Sequence, residues 1–200
     1  MFDPRDFRQA LGSFVTGVTI VTARDADGRA VGLTANSFNS VSLDPPMVLW
    51  SLALASGSLP VFRDAESWAV HILAADQQDL SDRFARPGED RFAGLGDADG
   101  AEGAPLIPGY AARFGCRARF EYEGGDHAIF LGEVIAFDRR DAVPLVYHSG
   151  RYGRIMTDVG DLPSAEDFVR EGYAEEIAGN YGLTPRGEAL LAALSQLSQR

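Results

Sequence analysis

The sequence predicts a mainly β fold with short helices, built as a small antiparallel barrel. Three observations predict it. Short runs rich in Val, Ile and Thr alternate along the chain, as in Thr19-Ile20-Val21-Thr22. Hairpin signals join such runs, Asp27-Gly28 early and Gly124-Gly125 late. The glycine fingerprint of a doubly wound dinucleotide fold is missing, because Gly94-Leu95-Gly96 is followed by Asp97 and lacks the spacing.

Asp3 before Pro4 predicts a helix start, a carboxylate cap and then a residue whose missing N–H does no harm. Phe7, Ala10 and Leu11 share one face of that helix. Phe14 to Ala23 reads as a strand and Ala30 to Ser40 as a second. Met47 to Leu54 is a third, more buried strand after the stop at Asp44-Pro45-Pro46. Ser58 to Glu66 predicts a short helix and Trp68 to Leu73 a strand. Asp76 is read as the cap of a helix running to Ala85, with Leu80 and Phe84 four apart. A loose, acidic, Gly-rich stretch spans Pro87 to Gly109. Arg113 to Glu123 and His127 to Asp138 form a strand pair, and Val143 to His148 and Tyr152 to Met156 are short closing strands. The C-terminal segment changes character. Ser164-Ala165-Glu166-Asp167 opens a helix that Gly179 or Gly182 ends. Thr184-Pro185 opens another, with a narrow stripe of Leu190, Leu191, Leu194 and Leu197. The predicted organisation is a barrel domain over residues 1–158 and a helical extension over 159–200.

Composition excludes several chemistries. The chain has 200 residues and a formal charge of −11, which argues against a nucleic-acid binder. All 18 basic residues are arginine. Without lysine there is no Schiff base, no Walker-A phosphate loop and no Ser–Lys pair. Cys116 is the only cysteine, so no intrachain disulfide or cysteine-based zinc site forms within one chain. No apolar run approaches the ~20 residues that span a bilayer, and the first residues lack the apolar core of a signal peptide. The expectation is a cytoplasmic protein with no membrane segment and no metal.

The richest polar segment runs from Gly32 to Pro46, Gly-Leu-Thr-Ala-Asn-Ser-Phe-Asn-Ser-Val-Ser-Leu-Asp-Pro-Pro. Its short hydroxyl and amide side chains suit a flat heteroaromatic ring, without bulk or formal charge. An ordinary solvent-facing strand gives the same alternation. An anionic group would need arginine, hydroxyls or a helix start. Ser56-Gly57-Ser58 precedes a predicted helix, and Arg83 and Arg91 recur in Asp82-Arg83-Phe84 and Asp90-Arg91-Phe92. Taken singly, each arginine is better read as a structural residue, Arg83 as an ion-pair partner for Asp79 or Asp82 on a solvated helix. Of the three histidines, His71 lies in an apolar strand and reads as structural, and His148 sits near the end of a short strand. His127 follows Gly124-Gly125-Asp126 at a strand start, which puts an imidazole at a barrel rim. Asp126 beside it can tune its charge, although neighbouring strand residues usually point apart.

Taken in order, these segments resemble the flavin reductase-like family, short-chain reductases that supply reduced flavin to two-component monooxygenases. The resemblance covers about residues 5 to 156. It is carried by Phe7-Arg8-Gln9-Ala10-Leu11 through Thr22, by Gly32-Leu33-Thr34-Ala35-Asn36-Ser37-Phe38 and Ser40-Val41-Ser42-Leu43-Asp44-Pro45-Pro46, and by the two Asp-Arg-Phe triplets. Gly125-Asp126-His127, Ile129-Phe130-Leu131-Gly132-Glu133-Val134, Pro144-Leu145-Val146-Tyr147 and Gly150-Arg151-Tyr152 complete it. The resemblance implies a split β-barrel that binds FMN or FAD, usually as a homodimer. It implies that Thr34, Ala35, Asn36 and Ser37 line the flavin ring and ribityl chain, with Ser40, Val41 and Ser42 adding backbone and hydroxyl contacts. Ala55, Ser56 and Ser58 would lie on the phosphate side, with Arg83, Phe84 and Arg91 close by. His127 would face the nicotinamide of NADH or NADPH, orienting it rather than acting as a general acid, and Tyr152 would lie at the pocket mouth. The implied activity is hydride transfer from the nicotinamide to the flavin, with a flavin-dependent monooxygenase as partner.

Other readings share the same strip: a flavin-binding electron carrier without nicotinamide turnover, or a flavin-dependent reductase of another small acceptor. The family pattern leaves Asp161 to Arg200 unexplained. That segment holds seven acids against three arginines. Leu183-Thr184-Pro185-Arg186-Gly187-Glu188-Ala189-Leu190-Leu191 faintly echoes the last helix of winged-helix regulators, but the acidity speaks against DNA contact. A packing surface or a partner surface is the plainer reading.

Overall fold

Asp3 caps the first helix, α1 (Pro4–Gly12), by accepting a hydrogen bond from the Arg5 N–H at 2.7 Å. The computed structural model describes residues 2–86, 88, 90–96, 98–100, 103–155, 165–177 and 180–197. It divides into two units, Met1–Ile155 and Met156–Arg200.

In the first unit, α1 is followed by β1 (Thr16–Gly17), β2 (Thr19–Arg24), β3 (Ala30–Ala35), β4 (Asn39–Leu43) and β5 (Pro46–Ala53). Then come α2 (Leu59–Asp64), β6 (Ser67–Leu73), α3 (Gln78–Ala85), β7 (Tyr110–Gly124), β8 (His127–Arg139), β9 (Leu145–His148) and β10 (Arg151–Arg154). Seven strands form one antiparallel sheet in the order β3-β2-β6-β7-β8-β5-β4. A smaller sheet, β1-β9-β10, holds the closing strands.

Period-two alternation builds the interior. Val48, Trp50 and Leu52 of β5 are buried, as are Trp68 and Val70 of β6 and Ala128 and Phe130 of β8. The Trp50 ring stacks on Phe130 at 4.9 Å and meets Trp68 and Phe62 edge-on. Strand β2 is buried on both faces. Its second face, with Val18 before it and Ile20, packs with Leu73, Phe84, Ile107 and Leu145 in a second apolar cluster. His71 is part of this interior, as its place in an apolar strand predicted. Its Nδ1 lies 3.2 Å from the Ile20 carbonyl, and its Nε2 accepts from the Ile107 N–H at 3.1 Å. Burial pushes its pKa down to about 4.

Several boundaries differ from the sequence reading. The strand read from Phe14 to Ala23 breaks at Val18, whose N–H and C=O turn to Leu145 and Leu73. The strand read from Ala30 to Ser40 breaks at Asn36–Phe38, because β3 and β4 belong at opposite edges of the sheet. Gln77, not Asp76, stands at the start of α3. Its amide accepts from the Ala74 N–H and donates to the Pro108 carbonyl.

The second unit has α4 (Ala165–Arg170), a hairpin of β11 (Ala174–Ile177) and β12 (Asn180–Leu183), and α5 (Pro185–Leu197). The hairpin replaces most of the first helix read there. Gly172 adopts φ +76°, with its N–H on Val169 and the Tyr173 N–H on Phe168, and this glycine cap stops α4 early. Thr184 caps α5 through the Gly187 N–H, as read. The Ser164 cap, the stop at Gly179, the domain boundary at 158 and the side chains of Leu194 and Leu197 lie outside the described residues.

Candidate active site

The chain from Gly32 to Ser37 is the spine of the site, and each end is fixed from outside. At Gly32 the carbonyl accepts from Arg91 Nη1 at 2.7 Å. A Cβ at Gly32 would lie 2.7 Å from Phe84 Cε1 and 3.0 Å from Phe92 Cζ, so only glycine lets both rings pack there. Those rings meet edge-to-face at 5.1 Å. Arg83 does not pair with Asp79 or Asp82; its Nη2 donates to the carbonyls of Asp90 and Ala93. The two Asp-Arg-Phe triplets therefore work as a clasp on strand β3.

Further along, Thr34 Oγ1 donates to the Ser81 carbonyl at 2.7 Å, and the Ala35 carbonyl accepts from Thr19 Oγ1 at 2.7 Å. Ser37 pins the connector between β3 and β4 to β5. Its hydroxyl donates to the Ser51 carbonyl at 3.0 Å and accepts from the Ser51 N–H at 2.9 Å. One side chain thus adds a rung to the β4–β5 ladder, in register with Asn39 opposite Leu49. Asn36, between these anchors, is exposed.

Strand β5 gathers the other predicted residues. On one side it pairs with β4, setting Ser40 opposite Val48 and Ser42 opposite Met47. Ser40 and Val41 are exposed, while Ser42 Oγ accepts from the Asp44 N–H at 3.2 Å. On the other side, Ala53 faces His127 across the ladder, and the Leu54 N–H bonds the Asp126 carbonyl at 2.9 Å. The loop after β5 carries exposed Ala55 and half-buried Ser56 and Ser58. Ser58, Arg91, Gly32, Asp90 and Phe92 line a cavity of about 250 Å³.

The remaining predicted residues sit behind the spine. Phe84 is 1% exposed and belongs to the second core cluster. The Tyr152 hydroxyl bonds Ser81 Oγ at 2.9 Å and Asp82 Oδ1 at 3.0 Å, and burial pushes its pKa up. Ser81, buried and bonded to both Thr34 and Tyr152, is a hub that sequence reasoning missed. Its one signal is its place directly before Asp82-Arg83-Phe84. At the rim, His127 Nδ1 lies 2.6 Å from Asp126 Oδ1, and the imidazole beside Asp126 holds its carboxyl below the usual range. Among the described residues no three His, Cys, Asp or Glu side chains converge as a metal centre requires. No described helix is long and apolar enough to cross a membrane.

An antiparallel β-barrel with an uncharged polar strip from Gly32 to Ser42 defines the class of the protein. Residues 11–156 match the sequence profile of the flavin reductase like domain, and the chain belongs to that family. It is 50% identical over 150 residues to the FMN reductase (NADH) SmoA of Agrobacterium fabrum, covering 75% of this chain and 85% of that one. It is 47% identical over 158 residues to the reductase component of the flavin-dependent trigonelline monooxygenase of Acinetobacter baylyi. There the match covers 78% of this chain and 51% of the relative, so the chain spans about half that protein's length. Among solved structures, the NADH:FAD oxidoreductase SgcE6 of Streptomyces globisporus, in complex with NAD and FAD fragments, superposes with a TM-score of 0.73 at 38% identity. That match covers 80% of this chain and 98% of SgcE6. The split β-barrel that the resemblance implied is the fold observed.

Proposed function

We propose that this chain is an NAD(P)H-dependent flavin reductase that delivers reduced FMN or FAD to a partner monooxygenase. The observation that carries the reading is the anchored spine Gly32–Ser37. Its Gly32 lines the Ser58–Arg91 cavity at one end, and at the other its Ser37 bonds β5, the strand whose Ala53 pairs with His127. Its donor set fits a flavin: short uncharged groups for the ring, and a hydroxyl with a guanidinium for the phosphate. When bound, the flavin supplies the hydride-accepting ring nitrogen. The protein's task is orientation more than acid–base chemistry.

In this reading Thr34, Ala35, Asn36 and Ser37 form the wall against the ring. Ser40, Val41 and Ser42 extend it, and Ala55, Ser56, Ser58 and Arg91 form the phosphate side. Arg83, Phe84 and Tyr152 act from behind by holding the spine in place. His127 orients the nicotinamide. The NADH-linked activities named for the relatives favour NADH as donor.

The same reading includes a homodimer. Helix α1 buries none of its residues within its own chain, and Phe14 is 72% and Leu43 94% exposed. Apolar surface of this kind calls for a cover, and a second copy provides one. The reductase domain is assigned to residues 1–158 and the extension to 159–200; the family match ending at 156 supports this division. A cytoplasmic setting accords with the single, buried, free Cys116.

The test is the loss of NADH and NADPH absorbance with purified protein, with and without FMN, FAD or riboflavin. Rapid flavin-dependent loss supports the reductase and sets both cofactor preferences. Flavin binding without turnover in any combination overturns it in favour of an electron carrier.

A further inference from the structure

His127 opens β8 opposite Ala53 of β5 and Gly124 of β7. Its bond to Asp126 is unusual for neighbours, since adjacent strand residues point to opposite faces. Asp126 escapes that rule because it is in the turn, not the strand. Gly125, at φ +71°, reverses the chain. The Asp126 carbonyl is then pinned to the Leu54 N–H at the end of β5. The backbone is fixed and the carboxylate meets the ring at 2.6 Å.

The hydrogen-bond direction follows from charge. The imidazole keeps the Asp126 carboxyl below the usual carboxylate range, so it is ionised at neutral pH. An ionised carboxylate only accepts. Nδ1 therefore carries the hydrogen, and in the neutral ring Nε2 presents a lone pair.

We infer that Asp126 is a positioning residue for hydride transfer: it fixes His127 as the Nδ1–H tautomer, so that Nε2 accepts from the carboxamide N–H of the reduced nicotinamide. This rests on the reductase reading. A primary carboxamide has donors on one side and an acceptor on the other. An Nε2 acceptor selects the N–H side, whereas the opposite tautomer selects the carbonyl and turns the group by half a rotation. The carboxamide in turn sets how the ring lies against its hydride acceptor, and small misplacements at that point are costly in rate. The pair contributes little to folding, since Asp126 is 94% and His127 44% exposed.

The experiment uses histidine labelled with nitrogen-15 in the full chain. Long-range proton–nitrogen spectra of neutral His127 are compared in the wild type, Asp126→Ala and Asp126→Asn. Steady-state kinetics with NADH, flavin titration and thermal unfolding are run on the same samples. The expected wild-type spectrum has a protonated Nδ1 and a bare Nε2. Asp126→Ala moves the ring toward Nε2–H and lowers kcat/KM for NADH about tenfold, with flavin affinity and Tm unchanged. Asp126→Asn keeps an acceptor oxygen and recovers most of the loss. A wild-type ring already in the Nε2–H form, or one unmoved in Asp126→Ala, overturns the inference. So does a tautomer shift with unchanged NADH kinetics. Absence of NADH oxidation in the wild type overturns the reductase reading and the nicotinamide half of this inference, while the spectra still decide the tautomer half.

Discussion

The Ser37 hydroxyl bonds both the N–H and the C=O of Ser51, at 2.9 and 3.0 Å. Strand β3 ends at Ala35 and β4 begins at Asn39 on the opposite edge of the sheet, so the chain crosses the seam at this point. A hydroxyl donates and accepts at once, and one serine can satisfy both main-chain groups. Ser37→Ala leaves both unpaired in a half-buried place. The expected loss is roughly 1–2 kcal/mol, read as a lower urea midpoint at unchanged slope. Ser37→Thr should stay close to wild type. An alanine variant as stable as the parent would mean that the seam is held elsewhere.

His71 predicts a defined pH window. Its ordinary pKa of 6.5 falls to about 4 in the fold, because burial disfavours the charged ring and the nearby Arg113 charge adds to this, outweighing the Ile20 carbonyl, which favours a protonated ring. Above 6.5 neither state is protonated and stability is flat. Between 6.5 and 4 the unfolded chain takes up a proton that the native state refuses, so stability falls as pH falls. Below 4 both states are protonated and the loss stops growing. The gap between 6.5 and about 4 corresponds to roughly 3 kcal/mol. Urea unfolding at pH 7, 5.5 and 4 measures it. Asp25, Asp126 and Asp138 have pKa values held below 3.8, so they titrate beneath this window. Constant stability from pH 6.5 to 4.5 would refute the neutral, buried assignment.

The legible parts of the fold are those with local causes. Thr19-Ile20-Val21-Thr22 is a strand because of its own side chains, and Asp3-Pro4 and Thr184-Pro185 cap helices through neighbouring N–H groups. His127 could be placed at the rim because Gly125 marks the turn before it. What sequence reading missed has distant causes. Nothing in Asn36-Ser37-Phe38 is a strand breaker; the break is imposed by where β3 and β4 must pair. Arg91 reaches Gly32 across 59 residues, and no spacing rule announces that contact. Gly172 is the exception: it carries a local stop signal, but Gly179 and Gly182 further on offered the same one.

Arg91 separates a phosphate role from a structural one. One Nη1 proton holds the Gly32 carbonyl, and the guanidinium also lines the cavity with Ser58. Riboflavin has the ring and the ribityl chain of FMN but no phosphate. Arg91→Ala is expected to weaken FMN about tenfold more than riboflavin, the effect of one lost charge-assisted hydrogen bond. Fluorescence quenching titrations with both ligands measure the difference. Equal weakening would assign Arg91 to the Gly32 clasp alone.

Gly32 gives a test of that clasp from the other side. An added Cβ would lie 2.7 Å from Phe84 Cε1 and 3.0 Å from Phe92 Cζ. Phe84 is packed into the core and cannot simply swing out to make room. Gly32→Ala is expected to cost about 1–3 kcal/mol by overpacking. Phe84→Leu alone leaves space beside Phe92 and costs a similar amount. In the double variant the methyl occupies space that the smaller leucine vacates, so the total loss should fall short of the sum by about 1 kcal/mol. Denaturant unfolding of the four proteins completes the cycle. Strict additivity would mean that Gly32 is needed for its backbone freedom and not for the approach of Phe84. A measured coupling would tie helix α3 to the wall of the site through this single contact.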